Sequence, residues 1–230
     1  LSYSEALRSI VEGKIPSNGE LNGSLVNIQV FRRFAQLSRL LPAARNLDPT
    51  RFKELAKEVE NTLCVVSIAK AFPPSIEKRV PEMLTLLREE AGDGAKIKDL
   101  FAVLKGIRDD NSGAFGDFIF NGTLGGINKS FLYMLWDLIE QYVENVNRST
   151  RDKRERMALD KSRYSVEHIL CQSKNARAAI KEFGALHVGA DRQRIGNLTP
   201  LERAKNYGTK PFSEKVAEYE GSAFFLTKTL

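Results

Sequence analysis

The sequence predicts a mainly α-helical protein in two parts: a helical scaffold over residues 1–155 and a smaller unit of short strands and helices over 156–230. Three observations carry that prediction. Apolar residues recur at steps of three and four along most of the first 150 positions, the signature of amphipathic helices. From residue 164 the texture changes to short β-branched and aromatic runs broken by turn residues. The charge changes in the same region. Residues 1–150 hold 19 Lys/Arg against 19 Asp/Glu, and residues 151–230 hold 16 against 10, so the whole surplus of +6 lies in the last 80 positions. A neutral first part and a basic second part suggest two units, the second facing something acidic, for which nucleic acid is the natural candidate. Charge kept for solubility is the plain alternative.

The bulk composition excludes several classes. At 230 residues, 42% apolar and 28% charged, the chain is an ordinary globular protein, long enough to bury a core. No apolar run reaches the roughly 18 residues of a membrane span, and the first residues lack a signal-peptide pattern, so no membrane partner is expected. The chain starts at Leu1 without an initiator methionine, which leads us to expect a piece of something longer. Cys64 and Cys171 lack metal-knuckle spacing and give no disulfide framework. A reducing, cytoplasmic setting is expected.

Along the chain, residues 51–69 carry Phe52, Leu55, Val59, Leu63 and Val66 on one stripe, with Asp48 as N-cap and Pro49 at the first helical position. Residues 129–146 repeat the device with Phe131, Leu135, Leu138 and Tyr142, and Leu132 and Ile139 widen the stripe. Shorter helical patterns fit about 24–41, 81–90 and 96–107, separated by "PSNG", "FPPS", "AGDG", "DDNSGAFG" and "NGTLGG", which read as loops. The charged stretch 148–163 reads as a solvated helix end or a hinge. Residues 164–170 then predict a strand, about 174–183 a small helix, and 193–198 a second short strand or turn. Thr199, Pro200 and Glu202 compose a capping box for a helix running to about Tyr207. A last helix opens near Ser213 and ends before Gly221.

Polar residues collect on that second part. Glu167 and His168 sit at the end of the first strand in "YSVEHILCQS". Asn197 follows Gly196, and Asn206 falls in the last turn of the capped helix. Taken singly, each has a structural reading: a satisfied pair in a strand, an asparagine in a turn, an asparagine closing a helix. Taken together, two short strands and a helix presenting E-H, N and N resemble the HNH, or His-Me finger, nuclease motif. Phosphodiester hydrolysis at neutral pH requires a base to activate water, and neutral imidazole suits that task. It also requires a divalent cation to offset charge on the phosphate, and hard cations take oxygen ligands. The resemblance implies a small ββα-metal core on a mainly α protein, Mg²⁺ or Mn²⁺ as cofactor, His168 as base, Glu167 and Asn206 as metal ligands, and Asn197 as a residue that ties down the loop behind the histidine.

The likeness extends beyond the motif. "YSVEHILCQS", "RIGNLTPL", Asn206, "PFSEKVAEY" and Ser222 are similar to the C-terminal nuclease domain of GmrSD-type restriction endonucleases over residues 164–228. Its pattern reads E-H-I-x-P-Q, G-N-L-T-L, N, F-x-x-K and Y-x-x-S. Cys171 stands where that pattern has proline, which bears on the loop after His168 and not on the chemistry. The resemblance implies an enzyme that nicks or cleaves modified or foreign DNA, and an upstream nucleotide-binding sensor domain in a parent protein. Lys215 is then a candidate for contact with the scissile phosphate, and Arg192, Arg194, Lys205 and Lys210 for the DNA backbone. His187 has no evident partner and reads as surface. Cys171 as a nucleophile with His168 has no third group to orient it. Two other readings stay open: a nuclease-shaped module that binds nucleic acid or protein without cutting, and an RNA-directed nuclease.

Overall fold

The computed structural model describes residues 2–31, 35–70, 73–89, 96–123, 125, 129–147, 162–170, 177, 180–181, 192–203 and 210–230. The chain divides into two compact units, Leu1–Phe118 and Ile119–Leu230. The charge-based boundary near 155 falls inside the second unit, because the change in charge and the change in packing occur at different places.

The first unit is helical. Helices α1 (Tyr3–Val11), α2 (Gly23–Ile28), α3 (Ala35–Ser38), α4 (Leu40–Ala43), α5 (Pro49–Ile68), α6 (Pro73–Glu77) and α7 (Val80–Glu89) precede α8 (Lys96–Asn121). The core is built on α5. Its stripe of Phe52, Leu55, Val59, Leu63 and Val66 is fully buried, as the spacing predicts. Asp48 Oδ1 accepts from the Thr50 and Arg51 amides at 3.0 and 3.1 Å, which satisfies two of the helix's orphan donors. Buried Glu60 accepts from Asn27 Nδ2 across the α2–α5 contact. Burial, reinforced by Glu60, pushes the Cys64 thiol up to about 12, which leaves it inert.

Two expectations fail in this unit. The pattern over 24–41 predicts one helix, and the chain forms three short ones, the last with Pro42 inside its single turn. The segment "DDNSGAFG" reads as a loop, yet it lies inside α8. The stretch contains two helical glycines, each costing about 1 kcal/mol relative to alanine, and polar side chains bond along it. Asn111 Nδ2 donates to the Ile107 carbonyl at 2.8 Å and Ser112 Oγ to the Asp109 carbonyl at 2.8 Å. Lys105 pairs with Asp109, and Arg79 with Asp110 at 3.0 Å.

The second unit packs a two-stranded sheet with helices α9 (Lys129–Asn147), α10 (Phe212–Tyr219) and α11 (Phe225–Lys228). Strand β1 (Tyr164–His168) runs antiparallel to β2 (Leu198–Glu202), with Val166 opposite Pro200 and His168 opposite Leu198. Helix α9 buries every residue from Phe131 to Trp136, a wider apolar surface than one stripe, whereas Tyr142 is 70% exposed and lies off the core. Of the helix expected near 174–183, residues 177, 180 and 181 are described and helical.

The capping box at Thr199 is a correction. Thr199, Pro200 and Glu202 lie in β2, not at a helix start. Cross-strand pairing wins because Pro200 fits the ladder. Amide-to-carbonyl bonds from Arg203 to Arg163 and from Ile169 to Asn197 set which pairs exchange hydrogen bonds, and alternation puts Val166–Pro200 among the pairs that do not. The proline's missing N–H therefore costs the ladder nothing. The three residues tie down the C-terminus instead. Thr199 Oγ1 hydrogen-bonds Thr227 Oγ1 at 2.8 Å, the Pro200 carbonyl accepts from Thr227 Oγ1, and Glu202 accepts from Ser222 Oγ at 3.1 Å.

Helix α11 begins on Glu140 of α9, a buried carboxylate that accepts from the Phe225 amide at 2.9 Å and the Leu226 amide at 2.6 Å. An anion receiving the first amides of a helix is well placed in the field of its dipole. Glu140→Ala should destabilise this unit by about 1–3 kcal/mol, the range for stranding charge-assisted partners. Urea unfolding followed by fluorescence of Trp136, the single tryptophan, measures the loss.

Candidate active site at the end of the hairpin

Successive residues of a strand project to opposite faces. At the end of β1 this separates Glu167 from His168. Glu167 turns inward and is 3% exposed, and His168 stays half-buried on the other side.

The inward face meets α10. Lys215 and Tyr219 are four residues apart and so share one face of that helix. Lys215 is fully buried, and its Nζ donates to Glu167 Oε1 at 2.5 Å and to the His168 carbonyl at 2.7 Å. The Tyr219 hydroxyl donates to the same Glu167 oxygen at 3.2 Å. One helix therefore holds both the carboxylate and the backbone of the histidine beside it.

The outward face belongs to His168. Burial holds its imidazole below the ordinary 6.5, the Lys215 ammonium adds to that, a side-chain hydrogen bond with Gln193 pulls the other way, and Lys129 lowers it further. A base so placed is neutral at pH 7 and carries the lone pair that accepts a proton.

Behind the histidine the chain turns, and Asn197 grips the turn. Its Oδ1 accepts from the Leu170 amide at 2.7 Å, and its Nδ2 donates to the carbonyls of Leu170 at 3.4 Å and Arg192 at 2.9 Å. Its own carbonyl accepts from the Ile169 amide at 2.9 Å. A buried primary amide can satisfy a strand exit and a loop together because it carries both donors and an acceptor. Asn197 is buried in a 3-10 turn (Ile195–Asn197) that leads directly into β2.

The family model for the C-terminal domain of GmrSD restriction endonucleases matches residues 114–230. The chain belongs to that family. No curated protein and no solved structure matches the chain. For the GmrSD C-terminal domain the family match starts within a few residues of the division at Phe118, so one boundary comes from both packing and sequence. Membership points to a nuclease-type hydrolase, with DNA as the implied substrate. No described helix is long and apolar enough to cross a membrane.

The other sequence candidates in this GmrSD domain divide as follows. Arg194 and Lys210 are exposed, and Arg192 is partly so. Arg194 also forms an isolated bridge with Thr123. Asn206, Lys205, Cys171 and His187 lie outside the described residues. Lys215 is placed to position its neighbours, since a fully buried ammonium with two close acceptors does not face solvent. Tyr219 is the tyrosine of the Y-x-x-S pattern, and the structure adds its hydrogen bond to Glu167. Gln193, in a loop, carries no signal in the sequence.

Lys215→Met should destabilise the second unit by roughly 3–5 kcal/mol, because it strands a buried carboxylate, and the double variant Lys215→Met/Glu167→Leu should recover most of that. Urea unfolding of the three proteins checks it. A single-variant loss under about 1 kcal/mol would mean the pair is not buried in solution. By NMR, the His168 ring should titrate below 6.5 and move upward in Lys215→Gln, which removes the neighbouring charge.

Proposed function

We propose that the unit Ile119–Leu230 is a metal-dependent DNA endonuclease or nickase of the HNH, ββα-metal type, acting as the cutting part of a restriction protein directed at modified or foreign DNA. The observation that carries the reading is His168, a half-buried imidazole held below its ordinary pKa and fixed from behind by Lys215 and Asn197. His168 is the base that takes the proton of an attacking water. Asn197 keeps the ring in place by fixing the two residues that follow it.

A divalent cation of the Mg²⁺ or Mn²⁺ kind supplies charge to offset the phosphate and the leaving oxygen. By donor type a carboxylate and an amide oxygen suit such an ion, although Glu167 lies on the other side of β1 from His168 and is paired with Lys215. Among the described residues no three His, Cys, Asp or Glu form a cluster, and a hard cation that keeps most of its waters requires only one or two protein oxygens. Glu167 would offer a carboxylate whose described hydrogen bonds all fall on Oε1, and Asn206, outside the described residues, would offer the second oxygen. Arg192, Arg194, Lys205 and Lys210 supply positive charge for the DNA backbone. An upstream sensor domain would choose the target.

The burial of Glu167 against Lys215 favours a second reading, in which that carboxylate is structural and the unit binds DNA without cutting it. Two measurements separate the readings. Supercoiled plasmid with Mg²⁺ or Mn²⁺ should be nicked by the wild-type chain, and His168→Ala should lower the rate at least 100-fold, the low end for loss of a general base, with the fold intact by circular dichroism. Because the His168 pKa lies below 6.5, the rate should climb as pH rises and be near its plateau by neutrality. Calorimetric titration of Mn²⁺ should show at least tenfold weaker binding to Glu167→Gln. Full activity in His168→Ala, or no nicking with any divalent metal, would sink the nuclease reading. Unchanged Mn²⁺ affinity in Glu167→Gln removes Glu167 from the metal site.

A further inference from the structure

Gln193 lies in the loop before the 3-10 turn, and its exposed side chain hydrogen-bonds the ring of His168. Such a bond from a surface glutamine is ordinarily weak, because the side chain gives up rotamer freedom to make it. Here the backbone on both sides of Gln193 is already fixed. The Arg192 carbonyl accepts from Asn197 Nδ2 at 2.9 Å, and the Arg194 carbonyl accepts from the Asn197 amide at 2.9 Å. Beyond them Arg194 bridges Thr123, and the Ile195 amide donates to the Gly122 carbonyl at 3.0 Å.

The same asparagine fixes the chain after the histidine. The Ile169 amide donates to the Asn197 carbonyl at 2.9 Å, and the Leu170 amide to Asn197 Oδ1 at 2.7 Å. Lys215 holds the His168 carbonyl from the other face. His168 and Gln193 therefore hang from one buried residue. Their separation is set by the fold and not by two free side chains.

The direction of the bond follows from its effect. A glutamine amide carries both a donor and an acceptor. The contact with Gln193 favours the protonated ring, and only an acceptor facing a ring N–H does that. A neutral imidazole carries hydrogen on one nitrogen and a lone pair on the other, and the bond made by one nitrogen decides which is which. An amide makes that choice without bringing a negative charge to a site that has to admit phosphate.

We propose that Gln193 is a positioning residue that fixes the tautomer of His168: its amide oxygen keeps the hydrogen on one ring nitrogen and leaves the other as the base. The bearing of this on cutting rests on the reading of His168 as the base. The bond and the tautomer stand apart from that reading.

The test uses the whole chain with ¹⁵N-labelled histidine, in EDTA, at about pH 8.5, where the ring is neutral. Long-range ¹H–¹⁵N spectra report the tautomer, and the signals missing from His168→Ala tell its ring from that of His187. Gln193→Met keeps the length and removes the oxygen, whereas Gln193→Glu keeps an oxygen in place. The net worth of one such hydrogen bond corresponds to roughly a two- to tenfold preference. The parent chain should show one tautomer in excess, Gln193→Met should lose that excess, and Gln193→Glu should retain it. In plasmid nicking with Mn²⁺, kcat should fall in Gln193→Met with KM unchanged and recover in Gln193→Glu. An unchanged tautomer ratio in folded Gln193→Met overturns the inference, whatever the chain cuts. So does a Gln193→Glu ratio that moves as far as that of Gln193→Met, because the acceptor then plays no part. Slower nicking without a change of tautomer places Gln193 on the DNA and overturns it as well. If the tautomer moves as expected while the parent chain nicks nothing, the inference stands and the nuclease reading falls.

Discussion

Taking an ammonium and a carboxylate out of water costs several kcal/mol for each ion, and the cost is recovered only when the two meet in good geometry with their remaining hydrogen-bonding capacity used. Lys215 and Glu167 meet that condition. They lie 48 residues apart, at 0% and 3% exposure, with Tyr219 on the carboxylate and the His168 carbonyl on the ammonium. Neither ion can be buried without the other, so helix α10 has one position against β1 and not a range of them. The same ammonium lies near enough to His168 to help lower its pKa. A contact that fixes the fold thereby adjusts the group most suited to take a proton.

The strands themselves supply little of this. A two-stranded ribbon of five residues a side is marginal alone in water. Its hold comes from polar residues recruited from other elements: Asn197 across the exit of β1, Thr227 on Thr199 and Pro200, and Glu202 on Ser222. Glu140 performs the same service for α11 from the middle of α9. These groups are buried or partly buried, and each is matched to a backbone or hydroxyl partner, the condition under which a polar core specifies one arrangement. The C-terminal residues therefore belong to the architecture of the hairpin.

What could be read in the sequence was what local periodicity governs. Helices α5 and α9, strand β1 and helix α10 each carry their own pattern, and Asp48 with Pro49 marks a helix start by local chemistry alone. The failures share a cause. Thr199, Pro200 and Glu202 satisfy every local rule for a capped helix, and strand partners 32, 34 and 38 residues away overrule them, a competition invisible in any short window. Residues 109–116 satisfy the local rules for a loop and nevertheless lie inside α8, where Arg79, 31 residues away, pairs with Asp110. Of the candidate site, Glu167, His168 and Asn197 could be picked out only as a set, since each alone has a structural reading. It was hidden at Gln193, a loop residue that acts through His168.

The period of two along β1 has one further consequence. Glu167 and His168 are adjacent in sequence but face opposite sides, so the strand buries the carboxylate against α10 and leaves the imidazole half-buried on the other face. The link between them is the main chain, where Lys215 holds the carbonyl of the histidine while pairing with the glutamate before it. Any cation drawn to Glu167 must share its carboxylate with that ammonium, which already sits on Oε1. Added positive charge beside His168 acts in the same sense as Lys215, toward the neutral imidazole, because like charge disfavours the protonated ring.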